Sequence, residues 1–254
     1  MAAVKASSLD PAVFGRQFAE AARLQGFRAE PLGEAGGVPL VAYTKRTPGP
    51  RPRLYISSGI HGDEPAPPLA LLRMLEAGMF DDRATWFLCP LLNPSGFLHG
   101  TRENAGGIDL NRDYKDLRTE EIAAHVRWLQ RQPRFDTAFC LHEDWEATGF
   151  YLYELNAATL PSLAETVLTA VRVHGPIETA ALIDGREISA PGIIRPAGDP
   201  RLRESWPEAV YLCVHHTHRC YTLETASSLP LEQRIRKQMA AMQAALAAVC
   251  AHPR

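Results

Sequence analysis

The sequence predicts an α/β protein of three layers, α/β/α, with helices on both faces of a central mixed, mostly parallel sheet. Strand-like apolar runs alternate with helical patterns along the chain. The runs are also short and nearly continuously apolar, as strands covered on both faces must be. Open sheets of this kind place their sites beyond the carboxyl ends of the strands.

The elements follow in chain order. Asp10 as cap, Pro11 at the first helical position and Phe14, Phe18, Ala21 and Ala22 on one face predict a helix from about Pro11 to Gln25, ended by Gly26. Strands are predicted at VPLVAYT, RLYISSGI and TWFLCPLL, then at FDTAFCLH, FYLYEL, AVYLCV and CYTLET. Helices are predicted after Pro65, Arg118, Pro161 and Pro230, the last of them rich in alanine. TKRTPGPRPR reads as a loop between strands. DGREISAPGIIRPAGDPRLRESWPE reads as a long irregular excursion, of the kind that borders binding sites.

With 254 residues, 46% hydrophobic and 22% charged, the chain is expected to form one domain over 1–254. A formal charge of −2 gives no global field for gathering nucleic acid or anionic lipid. No apolar run approaches the ~20 residues needed to cross a bilayer. We therefore expect a cytoplasmic protein with neither nucleic acid nor membrane as partner; its oligomeric state is not legible. Five scattered cysteines without a CxxC pair read as reduced core residues.

The chemistry gathers where strands end. In SSGIHGDEPAPPLALLRML an apolar strand runs into His61, Asp63 and Glu64 before three prolines lead into a helix. His61 and Glu64, at H-x-x-E spacing in one turn, read either as half of a zinc site or as a strand-end histidine beside a solvated carboxylate, and FDTAFCLHED delivers His142 to the same sheet edge. Two imidazoles and one carboxylate leave a fourth position for water, the composition of a catalytic zinc site. Between them, NPSGFLHGTRENAGGIDLNRDY carries Arg102, Asn104, Asp109, Asn111 and Arg112 among glycines, more charge than a structural loop needs. Asp63, Glu143 and Asp144 flank the ligands and either tune the site or cap neighbouring structure. His215, His216 and His218 of HHTH read as a solvated turn, and His99 and His125 as surface residues.

Five ordered elements, HGDE, NPSG, the R-x-N-x-x-G-x-D-L-N-R run, LHED and YTLET, resemble the zinc metallocarboxypeptidase family of carboxypeptidase A and the bacterial murein peptide amidases. The succinylglutamate desuccinylase and aspartoacylase branch shares the H-x-x-E and D-L-N-R elements, and the resemblance covers roughly residues 54 to 225. It implies a zinc-dependent exopeptidase-like fold with one Zn2+ per chain, held by His61, Glu64 and His142, with Asp109 supporting a ligand histidine. Arg102 resembles the arginine that polarises the scissile carbonyl and stabilises the oxyanion. Asn111 and Arg112 resemble the pair that grips a terminal carboxylate, and Glu224 the general base that promotes the zinc-bound water.

The activity so implied is that of a carboxypeptidase or amidase, cleaving an amide next to a free carboxylate in a small peptide. An N-acyl amino acid deacylase of the desuccinylase/aspartoacylase type is the alternative, although only a helix follows Glu224 where those enzymes usually carry a β domain. A noncatalytic zinc or ligand-binding protein is the third reading, against which stand Glu224 and Arg102, since binding alone needs neither. One departure is the family's mobile tyrosine: Trp206, Tyr211 or nothing equivalent takes its place. Trp145, Phe150, Tyr151 and Tyr153 either line a pocket beside the zinc or pack in the core.

Overall fold

Residues 9–158 and 160–251 are described by the computed structural model. Asp10 accepts from the amides of Ala12 and Val13, both at 2.9 Å, and so starts α1, Pro11–Leu24. Its apolar face seats Phe18 with ring centroid 5.0 Å from that of Tyr43 in the sheet. The strands β1 (Arg28–Ala35), β2 (Val38–Lys45) and β3 (Arg53–Ser57) follow, then α2 (Ala66–Glu76), β4 (Thr85–Cys89), the short α3 (Pro94–His99) and α4 (Glu120–Leu129). Next come β5 (Thr137–Asp144), β6 (Tyr151–Asn156) and α5 (Ala164–Arg172). The two-residue strands β7 (Leu182–Ile183), β8 (Arg186–Glu187) and β9 (Ile193–Ile194) precede α6 (Glu208–His215), β10 (Arg219–Ala226) and α7 (Leu231–Ala251).

The sheet runs β1-β2-β4-β3-β5-β10-β6-β9, with β7 and β8 as a separate ribbon. Its four central strands, β4, β3, β5 and β10, are mutually parallel, while β2 and β6 flank them antiparallel. The sheet is therefore mixed, as expected, and the parallel part is the part that carries the site. Side-chain alternation divides the core into two layers. Leu54 and Ile56 of β3 face α1, α2, α5 and α7, whereas Tyr55 between them joins Ile122, Val126 and Trp128 of α4 and Leu212 of α6.

Two expectations need correction. AVYLCV is the helix α6 rather than a strand, because Pro207 and Glu208 open a helical turn there and one short helix covers the β5–β10 face. β1 was not anticipated: mostly exposed, it carries Pro31 and a register irregularity between Pro31 and Gly33. The cysteines are free, but only Cys89, Cys140 and Cys220 are fully buried; Cys213 and Cys250 are partly exposed. No helix among the described residues is long and apolar enough to cross a membrane.

Candidate metal and catalytic site

His61 and Glu64 sit in the turn after β3, and His142 near the carboxyl end of the parallel neighbour β5, so adjacent strands bring them together. His61 Nδ1 is 2.5 Å from Glu64 Oε1, and His142 Nδ1 is 3.2 Å from Glu64 Oε2. One donor atom from each of the three buried residues lies within 4.8 Å of the other two. Burial opposes charge on His61, yet Glu64 and Asp109 outweigh it and push its pKa up to about 9. Burial likewise opposes charge on Glu64, but the two histidines hold its carboxyl well below the usual range. A buried carboxylate whose field draws a proton onto a neighbouring imidazole suits a cation in the proton's place, and this donor set fits a metal ion.

The turn is held by contacts that the motifs encode. A Cβ on Gly62 would lie 2.0 Å from the carbonyl carbon of Gly96, so HGDE and NPSG meet backbone to backbone and neither glycine can take a side chain. Asn93, wholly buried, caps α3 by accepting from Gly96 N–H at 2.8 Å. Its Nδ2 donates to the carbonyls of Ile60 at 3.1 Å and Arg102 at 3.2 Å, tying the ligand turn to the arginine loop. Behind β5, the Glu143 carboxylate accepts from Ala66 N–H at 3.0 Å and from Arg234 at 2.7 Å, capping α2 and anchoring α7. Glu143 thus caps neighbouring structure, and Asp63 is exposed.

Asp109 Oδ1 stands 3.3 Å from His61 Nε2, out of hydrogen-bond alignment, while its Oδ2 accepts from Arg102 Nε at 3.0 Å. Burial works against that carboxylate, but His61, Arg102 and Arg112 hold it far below the usual range. Asn111 Oδ1 accepts from Glu208 N–H at 2.9 Å, which leaves its Nδ2 as a donor for a ligand. Arg102, Asn111, Arg112 and Glu224 line one cavity of about 470 Å³ with the His61, Glu64 and His142 set. Glu224 lies in register with His142 on one side and Tyr151 on the other. Among the described residues it has no hydrogen bond or ion pair. Burial raises its pKa well above the ordinary carboxylate value; Glu64 and Asp144 add to this, and His142 opposes it.

The aromatic expectations divide. Trp145, Tyr151 and Tyr153 line the cavity, with Tyr151 Oη donating to Asp144 at 2.9 Å, whereas Phe150 is core. Tyr211 is buried beside Tyr114 and His215, and neither it nor Trp206 reaches the cavity. His125, expected at the surface, is fully buried, and burial lowers its pKa to about 3. It bridges Tyr114 Oη at 2.8 Å and Tyr55 Oη at 2.9 Å, and Tyr55 donates to Glu208, which also accepts from Ser57. His216 is buried too, while His215 and His218 are exposed, and the three make no metal cluster. Asn93 and Glu208 were given no role from sequence. The Asn-Pro pair before an apolar run signalled the cap; nothing signalled a buried glutamate.

A mixed sheet with a histidine, glutamate and histidine set at the ends of its central parallel strands defines a metallocarboxypeptidase-like hydrolase scaffold. The chain belongs to the succinylglutamate desuccinylase/aspartoacylase catalytic domain family, whose model matches residues 50–250. A candidate metallopeptidase of Shewanella amazonensis superposes with a TM-score of 0.80 at 26% identity, covering 93% of this chain and 92% of that one. Another, from Shewanella denitrificans, gives 0.82 at 25%, covering 93% and 89%. Carboxypeptidase SOL1 of Arabidopsis thaliana is 35% identical over 109 residues, a match spanning 35% of this chain and 22% of that protein.

Proposed function

We propose that the protein is a zinc-dependent carboxypeptidase or amidase that hydrolyses an amide next to a free carboxylate. The observation that carries this reading is Glu224: a half-buried carboxylate with no hydrogen-bond partner among the described residues, facing the same cavity as the metal-binding set, Arg102 and Arg112. Zinc held by His61, Glu64 and His142 would supply Lewis acidity to the scissile carbonyl and to water. Glu224, with its raised pKa, takes a proton from the attacking water and returns it to the leaving amine. Arg102, held by Asp109, donates to the oxygen on which negative charge develops. Asn111 Nδ2 and the exposed Arg112 receive the substrate's terminal carboxylate, for which a guanidinium fork is shaped.

The test is a matched pair of peptides, free acid and amidated, with zinc-loaded wild type and Arg112→Lys. Free acids should be preferred, and the lysine variant should weaken them by about 1.5–3 kcal/mol while changing the amidated peptides little. If both peptide forms are cleaved equally and Arg112→Lys weakens them alike, the carboxylate anchor is refuted. The family match over residues 50–250 favours a second reading, an N-acyl amino acid deacylase. Turnover of N-acyl amino acids in preference to peptides would decide for it.

A further inference from the structure

Building on the reading of Glu224 as the base, we propose that Gln238 of α7 is a positioning residue that fixes Glu224 against the metal-binding set from behind the sheet. β5 and β10 are parallel neighbours, and His142 lies in register with Glu224 across them. Both side chains line the cavity. The residues that alternate with them, Leu141 and Leu223, turn to the other face and pack in the core layer with Ile235, Ala241 and Met242 of α7. Gln238 reaches the two strands from that layer.

Its Nε2 donates to the carbonyl of His142 at 2.8 Å and to that of Leu223 at 3.3 Å. A carboxamide nitrogen carries two hydrogens, one for each strand, and a strand carbonyl has a second lone pair to receive one. The first carbonyl belongs to the metal-binding histidine itself. The second begins the peptide unit that carries the Glu224 N–H, so one side chain holds the backbone under the ligand and under the base. The turn that bears Glu64 is tied in alongside. Arg234, one helical turn earlier on α7, donates to Glu143 at 2.7 Å, and the other oxygen of Glu143 accepts from Ala66 N–H at 3.0 Å, just past Glu64.

Docking the helix does not by itself call for a glutamine. Gln238 is fully buried, between Ile235 and Met242 on the apolar stripe of α7, and its Oε1 has no partner among the described residues. An apolar side chain there would fill the same space without a stranded acceptor, which costs stability. What the carboxamide adds is a fixed spacing of two strand backbones. Lys237 beside it is as deeply buried, but donates to the carbonyl of Pro176, which belongs to neither strand.

The experiment compares zinc-loaded wild type, Gln238→Met, Gln238→Asn and Lys237→Met on one peptide with a free carboxyl terminus, with kcat and KM measured separately. Methionine fills the space of glutamine without a donor, so the urea midpoint should change little. Its kcat should nevertheless fall at least tenfold, because a misplacement of about 1 Å at a reacting group can cost about 100-fold. KM should stay within about threefold, since Asn111 and Arg112 are untouched. Gln238→Asn, a methylene too short to reach both strands, should lose kcat likewise and carries the test if the methionine variant does not fold. Lys237→Met, which disturbs α7 but not the two strands, should keep the wild-type kcat. A readout without turnover is the visible spectrum of the cobalt(II)-loaded proteins, which follows ligand geometry. It should shift in the Gln238 variants and not in Lys237→Met. If the wild type cleaves no peptide, the carboxypeptidase reading fails and the spectrum alone decides about Gln238. Unchanged kcat in the Gln238 variants, an equal loss in Lys237→Met or, without turnover, a cobalt spectrum identical to that of wild type overturns the inference.

Discussion

Replacing Asn93 separates the ligand turn from the arginine loop. In Asn93→Ala the α3 cap to Gly96 N–H at 2.8 Å is lost, worth about 1 kcal/mol. The Ile60 carbonyl, beside His61, loses its donor inside the protein at a cost of about 1–2 kcal/mol, and the Arg102 carbonyl, in a part-buried residue, somewhat less. The total is about 2–4 kcal/mol, a large part of the 5–15 kcal/mol typical of a domain. Urea unfolding should show the midpoint falling with its slope unchanged. Because the same two carbonyls fix the chain on either side of the metal-binding set, metal affinity should also drop by about 10–100-fold, the usual range for outer partners of ligands. Asn93→Asp separates cap from tie: it keeps the acceptor for Gly96 but sets a carboxylate against two carbonyls. It should therefore be no more stable than the alanine variant, although aspartate is a good N-cap. An aspartate variant as stable as wild type would show that Asn93 is a cap alone, and the reasoning would fail.

Glu224→Gln should keep its metal by elemental analysis and lose roughly two or more orders of magnitude in turnover, the scale of a lost acid/base group; undiminished turnover would place the base elsewhere. Gly62→Ala must push HGDE off Gly96, because the new Cβ would sit 2.0 Å from that carbonyl carbon. Chelator competition should show metal affinity weakened at least tenfold, and unchanged affinity would refute the close approach. His125 gives stability a pH dependence. Its pKa is about 3 folded, lowered by burial, against about 6.5 unfolded, so the unfolded chain binds the extra proton. Its contribution is complete above pH 6.5 and is lost as pH falls toward 3, at up to about 1.4 kcal/mol per unit. Urea midpoints measured in this window should lose that slope in His125→Gln.

The site was legible where the chain announces it with charge after an apolar run. His61, Glu64, His142 and Glu224 each follow such a run at a strand end, and parallel neighbours share that end. What failed to read were features decided by tertiary packing. AVYLCV is short, apolar and β-branched enough for either a strand or a helix, and the choice rests on Pro207 before it and Tyr114 beneath it. His125 could have been placed better, since it falls three residues after Ile122 and four before Leu129, within the buried stripe of α4. Glu208 could not, because the hydroxyls of Tyr55 and Ser57 that receive it lie some 150 residues away in sequence.

The irregular first strand has a meaning for the protein's life in a crowded solution. β1 is one outer boundary of the eight-stranded sheet, where unpaired backbone groups invite another chain to add itself. Pro31 offers no N–H to such a newcomer, the slipped register at Gly33 bends the template, and Arg28, Glu30 and Glu34 put charge along it. The opposite boundary, β9, is two residues long. Neither border offers a flat, uninterrupted ladder, so the parallel centre that builds the site is kept from serving as a seed for fibrous growth.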